Sequence, residues 1–229
     1  GGLAKGRLHE MFDAQAEDAG GPTGFTLLLG LLSGASDARP LLWLRTVGAE
    51  RGGGRLYGPG LAALGLNPAH LLLGVMRDEA MLLRAAVDGV RCAGLAAVVI
   101  ECWGNPRILD LTASRRLTLA AEGSGVTALL LRLDARPSPS AADTRWRVTA
   151  APSGGAIGTR GDRLLGLSAF DIELLRRRSG PDGLRWRLEW NRDRRCFQDP
   201  DFAVPGQKAS LSGAVVSLPV VGPVADRAA

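Results

Sequence analysis

At 229 residues, 46% of them hydrophobic, the chain can bury the core of one ordinary α/β domain and is not a disordered polymer. Its +5 net charge invites a nucleic-acid partner, yet only Lys5 and Lys208 of its 28 basic residues are lysines, an arginine bias that a GC-rich genome would also produce. Three cysteines at non-motif spacings and two histidines exclude a zinc or disulfide framework, and no apolar run approaches the ~20 residues of a bilayer span.

Residues 7–12 read as a short strand, and 13–23 as an acidic loop containing Gly and Pro. Helix-forming leucines over 25–33 stop near Gly34, a plausible residue for a helix C-terminus. A second strand is expected over 40–46, a flexible Gly52-Gly53-Gly54 loop over 50–55, a short helix over 61–64, a turn over 65–68 and a third strand over 70–74. Asp78 is placed to cap a helix over 78–92, in which Ala80, Leu83, Val87 and Val90 recur near a 3.6 period. After Gly94 comes the stretch on which the chain is organised, an apolar run closing on Glu101. It has no polar alternation and is rich in β-branched residues, as a parallel strand buried on both faces requires. A helix over 112–123, basic at Arg115 and Arg116, leads to a fifth strand over 125–132.

Strand alternating with helix implies a parallel sheet with right-handed crossovers. From Thr144 the pattern changes to period two. Trp146 and Val148 alternate with Arg145 and Arg147, residues 170–174 do the same, and Leu184, Trp186, Leu188 and Trp190 alternate with Arg185, Arg187 and Glu189. Residues 179–183, Ser-Gly-Pro-Asp-Gly, make the last two runs an antiparallel hairpin. Beyond about Asp199 the chain is punctuated by Pro and Gly around one apolar patch, 214–221. The expected division is therefore one α/β domain over 1–198 and a tail over 199–229.

Several phrases carry a resemblance. His9-Glu10-Met11-Phe12 before a glycine-containing loop, residues 56–61 with 65–72, and the hairpin around Arg185-Trp186-Arg187-Leu188 resemble segments of the RecA-like recombinase ATPases. Residues 54–61, 109–117 and 144–148 are more closely similar to the ImuA family, RecA-related accessory proteins of a bacterial damage-induced mutagenesis cassette. The resemblance spans residues 3 to about 198. It implies a RecA-like three-layer α/β core with a mainly parallel central sheet and a C-terminal antiparallel extension.

A working phosphate loop reads G-x-x-x-x-G-K-[ST], with amides cradling the phosphates and Lys neutralising them. The corresponding octet here is 19–26, where Gly24 and Thr26 are in place but Ala19 replaces the first Gly and Phe25 replaces the Lys. Without that cation, ATP hydrolysis is not expected, although weak anion binding at the helix N-terminus stays open. Glu101 takes the position of the magnesium-holding acid and Glu50 that of a water-orienting carboxylate. Their simpler reading is a strand-end cap and a solvated loop charge, because fold analogy is a weak warrant for a site. No catalytic residue, metal or cofactor is therefore expected.

Residues 136–195 hold 13 arginines against seven acids, so the positive charge is concentrated there. Arg176, Arg177, Arg178, Arg185, Arg187, Arg192, Arg194 and Arg195 form either a DNA or partner surface, with Trp146 or Trp190 near for stacking, or a solvated strand face. Trp186 and Trp190 alternate with Leu and suit a core; Cys92 and Cys102 read as small core hydrophobes. Leu211, Val215, Val216, Leu218, Val220 and Val221 form either a docking segment for a partner or another strand of the chain's own sheet.

By resemblance to the ImuA family, the chain is expected to be a cytoplasmic, non-catalytic adaptor of error-prone translesion synthesis in the SOS response. Its partners would be an ImuB-type protein similar to Y-family polymerases, a C-family polymerase contacted indirectly, and the recombinase filament or DNA, with homo-oligomerisation open and no membrane. A SulA-like inhibitor of cell division is the alternative. A third reading, a true ATPase using Arg45 or Lys5 as its cation, predicts turnover that Glu101→Ala abolishes.

Overall fold

The computed structural model describes residues 3–15, 17–153 and 167–199. The segment 211–221, with its candidate docking residues, lies outside them. One nine-stranded sheet runs through the molecule in the order β3-β2-β4-β5-β1-β6-β7-β8-β9. The strands are β1 (Leu8–Asp13), β2 (Leu41–Thr46), β3 (Leu71–Met76), β4 (Ala97–Trp103), β5 (Thr127–Leu133), β6 (Thr144–Ala151), β7 (Ala169–Arg177), β8 (Arg185–Asn191) and β9 (Cys196–Gln198).

The first six in that spatial order are mutually parallel, and the remainder are antiparallel. One more strand is thus parallel than the alternation predicts: β6 pairs parallel with β1 and antiparallel with β7, and so joins the two halves. The β7–β8 hairpin forms as expected. The short β9, absent from the sequence reading, pairs with β8 through Trp190 and Phe197.

Helices cover both faces of the parallel part. On one face lie α1 (Gly20–Leu32), α2 (Val47–Gly53) and α3 (Gly58–Ala63); on the other lie α4 (Glu79–Arg91) and α5 (Leu111–Ser124). Residues 50–53 of the stretch expected to be a flexible loop belong to α2, and only 54–55 lie outside it. The Thr46 hydroxyl starts that helix by accepting from the Ala49 amide at 3.1 Å, which a reading keyed to three glycines misses. Helix α1 begins five residues earlier than the leucine pattern suggests, and no side chain at Gly30 keeps it from lying against Leu41. Asp78 caps α4 as expected, its carboxylate accepting from the Met81 amide at 2.9 Å.

The buried face of α4 is Leu82, Ala86, Gly89 and Val90, which shares only Val90 with the predicted stripe. Ala80, Leu83 and Val87 instead line a groove of about 710 Å³ shared with Ile108 and Leu117 beside α5. Cys102 is buried, and burial pushes its thiol up to about 12; Cys92, expected in the core, is exposed where α4 ends.

β4 meets the expectation for the organising strand. Ala97 to Ile100 are fully buried between β2 and β5, and successive residues feed the two apolar layers in alternation. Glu101 is not its last residue, because the strand continues through Trp103. Among the described residues, no helix is long and apolar enough to cross a membrane.

Candidate nucleotide site

The octet expected to form a phosphate loop is helix from its second residue. Its backbone is closed by helical hydrogen bonding, beginning with the Thr23 amide donating to the Ala19 carbonyl at 3.2 Å. The N-terminus of this helix is the natural place for an anion, since its first amides have no helical partner. That place is held by the chain's own Asp18. One carboxylate oxygen accepts from the Gly21 amide at 3.1 Å, and the other accepts from the Ala150 amide of β6 at 2.7 Å. A Cβ added to Gly21 would lie 2.6 Å from that Ala150 nitrogen, so the helix start is pressed onto a neighbouring strand. The anion binding left open by the octet therefore meets a carboxylate already in position.

Phe25 points into the core. Its ring lies 5.6 Å from Phe170 and 5.1 Å from Phe197, in tilted pairs that link α1 to β7 and β9. Thr26 is fully buried and donates its hydroxyl to the Pro22 carbonyl one turn back at 2.7 Å, away from any magnesium site. Gly24 faces the Phe170 ring.

Glu101 is 3% exposed and accepts three hydrogen bonds. Trp43 Nε1 donates to one oxygen at 2.9 Å; Trp103 Nε1 and an Arg45 guanidinium nitrogen donate to the other at 2.8 and 3.0 Å. Arg45, 2% exposed, also donates to the Ala49 and Gly54 carbonyls, tying the sheet to α2. The residue considered as a replacement phosphate cation is thus the buried partner of the residue considered as a magnesium ligand. Lys5, the other candidate cation, is exposed before the start of β1, whereas the octet follows its far end, and the strand itself spans about 20 Å at ~3.3 Å per residue. Glu50 sits on α2 with Arg55 3.6 Å away.

Mg-ATP requires free amides, a cation and an uncommitted acid. In this structure those positions hold a carboxylate, a packed phenyl ring and a buried ion pair whose acid already accepts three hydrogen bonds, so the residues present do not fit the nucleotide. Asp18 was missed because it lay in a stretch read as an acidic loop, although an Asp just before a helical run is a legible capping signal. Trp43 was missed because its partner lies 58 positions away; Trp103 stands two residues after Glu101 on the same strand, an i, i+2 spacing on one face that was legible.

The arginine face divides in two. On β8, Arg187 makes a two-pronged pair with Asp171 at 2.7 and 2.8 Å, and Arg185 joins Glu173 at 3.1 Å. Arg147 reaches the other Glu173 oxygen at 2.6 Å. Partial burial raises the Glu173 carboxyl, but these two guanidiniums outweigh it and leave the group below the usual range. Arg176 and Arg178 instead turn toward α5, because a bulge in β7 opposite Arg145 and Trp146 shifts the alternation by one residue. Trp146 and Trp190 are buried, the latter donating to the Leu64 carbonyl at 2.9 Å, so neither offers a face for base stacking. Arg192, Arg194 and Arg195 follow β8 in an exposed turn, with Arg195 at φ +48°.

No family model matches the chain. In sequence it is similar to the Protein ImuA of Caulobacter vibrioides, strains NA1000 / CB15N and ATCC 19089 / CIP 103742 / CB 15. Each is 35% identical over 201 residues, covering 82% of this chain and 77% of the relative. In structure it is similar to the RadB recombinase at TM-score 0.55 and 19% identity, covering 84% of this chain and 90% of that one, a likeness of fold alone. A RecA-like α/β frame thus carries a helix start closed by its own aspartate, and the chain belongs to the ImuA family.

Proposed function

We propose that this protein is a non-catalytic adaptor in damage-induced, error-prone DNA synthesis, built on a RecA-like domain that no longer uses ATP. Family membership supports the link to mutagenesis. What carries the non-catalytic reading is the set of internal bonds at the former nucleotide positions: Asp18 on the Gly21 and Ala150 amides, Phe25 in an aromatic cluster, and Glu101 saturated by Arg45, Trp43 and Trp103. Opening that site would cost the fold a buried ion pair and an aromatic contact before a phosphate gained anything. On this reading the domain acts in the cytoplasm by presenting surfaces. The partners are an ImuB-type protein, through it a C-family polymerase, and the recombinase or DNA. The segment 199–229, with Leu211 and residues 215–221, is proposed as a partner-docking tail.

The test is titration calorimetry with Mg-ATP on the full chain beside Phe25→Lys. Neither protein is expected to release binding heat, because the Lys alone does not remove Asp18 or reopen the helix. Micromolar binding by the unaltered chain, about −8 kcal/mol, would overturn the proposal and make the protein an ATP-switched factor.

A further inference from the structure

Arginines that a protein engages in internal ion pairs stabilise its surface; arginines gathered in a concavity without acids are available to a ligand. The two kinds are separated here by the width of one hairpin. Arg185 and Arg187 face Glu173 and Asp171. Arg115, Arg176 and Arg178 line a half-open cleft of about 210 Å³ between the first turns of α5, the end of β7 and the 140–142 segment, and no acid is among its lining residues.

Among the described residues, no carboxylate forms an ion pair with Arg115 or Arg176. Arg176 uses one N–H on the Ser140 carbonyl at 3.1 Å, which orients the guanidinium and leaves its other donors. Arg178 lies 3.7 Å from Glu122, a carboxylate that also pairs with Arg7, so one negative charge there serves two cations.

The wall of the cleft is held in place. The Ser114 hydroxyl, 2% exposed, donates to the Leu111 carbonyl and accepts from the Ala141 amide at 3.1 Å. The Thr118 hydroxyl donates to the Ala141 carbonyl at 3.1 Å, and the Arg178 amide donates to the Asp143 carbonyl at 2.9 Å. These bonds place three guanidinium groups around one concavity without closing it. Asp110 already caps α5, so the helix start contributes little, and attraction rests on the arginines.

We propose that this cleft holds a backbone phosphate of a nucleic-acid strand, with Arg115, Arg176 and Arg178 as its contacts. Guanidinium forks match phosphate oxygens in pairs and remain charged at any physiological pH. The cleft has room for a phosphate group but no aromatic lining for a base, so the contact positions a strand and reads no sequence. The site lies on the α4–α5 side of the sheet, across from α1, and needs no nucleotide, so it stands or falls apart from the proposal above.

The experiment is fluorescence anisotropy of a labelled single-stranded oligonucleotide with the full chain, in a salt series without nucleotide. Three variants are compared with the unaltered protein. One is Arg115→Ala/Arg176→Ala/Arg178→Ala. The second is the same three positions to Lys. The third is Arg185→Ala/Arg187→Ala/Arg194→Ala, which removes the same charge from the hairpin. The expectation is that the first loses about tenfold or more in affinity and that its slope of log K against log salt falls by about 0.7, the share of one strand phosphate. The Lys variant retains the slope with weaker binding, and the hairpin variant binds within about twofold of the unaltered chain. Equal loss in the two Ala variants would mean diffuse charge without a site and would overturn the proposal. So would absence of binding by the unaltered chain.

Discussion

The start of α1 and the cleft beside α5 begin from similar raw material, a helix terminus with polar and charged residues around it, and reach opposite states. At α1 the carboxylates are taken up from within: Asp18 bridges the helix to β6, and Glu101 gathers Arg45 and two indoles. At α5 the serine and threonine hydroxyls fix the wall, while three arginines face solvent with one shared acid at the margin. The difference teaches that resemblance in fold does not locate function. Charged groups at one helix start can be consumed by the chain's own partners while those at another keep donors to spare.

The strongest way to break this comparison is Glu101→Ala. If Glu101 is a core ion-pair partner, its loss leaves Arg45 buried without a counter-charge and two indole N–H groups without acceptors. Denaturant unfolding should then show a loss of about 3–5 kcal/mol. Unchanged or increased stability would mark it as a site residue held under strain.

Asp18→Ala comes next. Removing the cap should cost about 1–2 kcal/mol. It should also let sulfate raise the melting temperature of the variant more than that of the unaltered protein, since the vacated amides favour an anion. Equal response to sulfate would mean that Asp18 does not occupy an anion position.

His9 sharpens the closed side of the contrast. The Trp146 indole donates to the Thr144 hydroxyl at 2.7 Å, which lies 2.7 Å from His9 Nδ1, while Nε2 faces the Ala4 carbonyl at 2.8 Å. That chain suits a neutral ring, and burial pushes the His9 value below its usual range. With the folded value depressed, the unfolded chain takes up the proton first. Stability should therefore hold above about 6.5, the unfolded value, and fall as pH drops below it, by about 1.4 kcal/mol per unit of separation. His9→Gln should flatten this acid limb in a pH series of denaturant midpoints.

The smallest effect is expected on the paired arginine ladder. Arg185→Ala should cost less than about 1 kcal/mol, and less again at high salt, because the pair is exposed. A larger, salt-independent loss would show that the ladder, not the cleft, is the structured part of the arginine surface.

Much of the framework was legible in the residues themselves. The apolar run before Glu101, the capping Asp78 and the alternation of 184–190 around a Ser-Gly-Pro-Asp-Gly turn are local signals, and local signals set backbone conformation and which face is buried. The mismatch of residues 19–26 with the phosphate-loop pattern, Phe25 standing where that pattern has Lys, was equally plain. Tertiary structure alone decided what became of these residues. Trp43 meets Glu101 across 58 positions, Glu10 meets Arg145 across 135, and the bulge in β7 moves Arg176 to the α5 side of the sheet, beside Arg115. Periodicity fixes a side chain's face, but whether a charge on that face is neutralised depends on distant partners brought within about 3 Å, and no spacing along the chain encodes that.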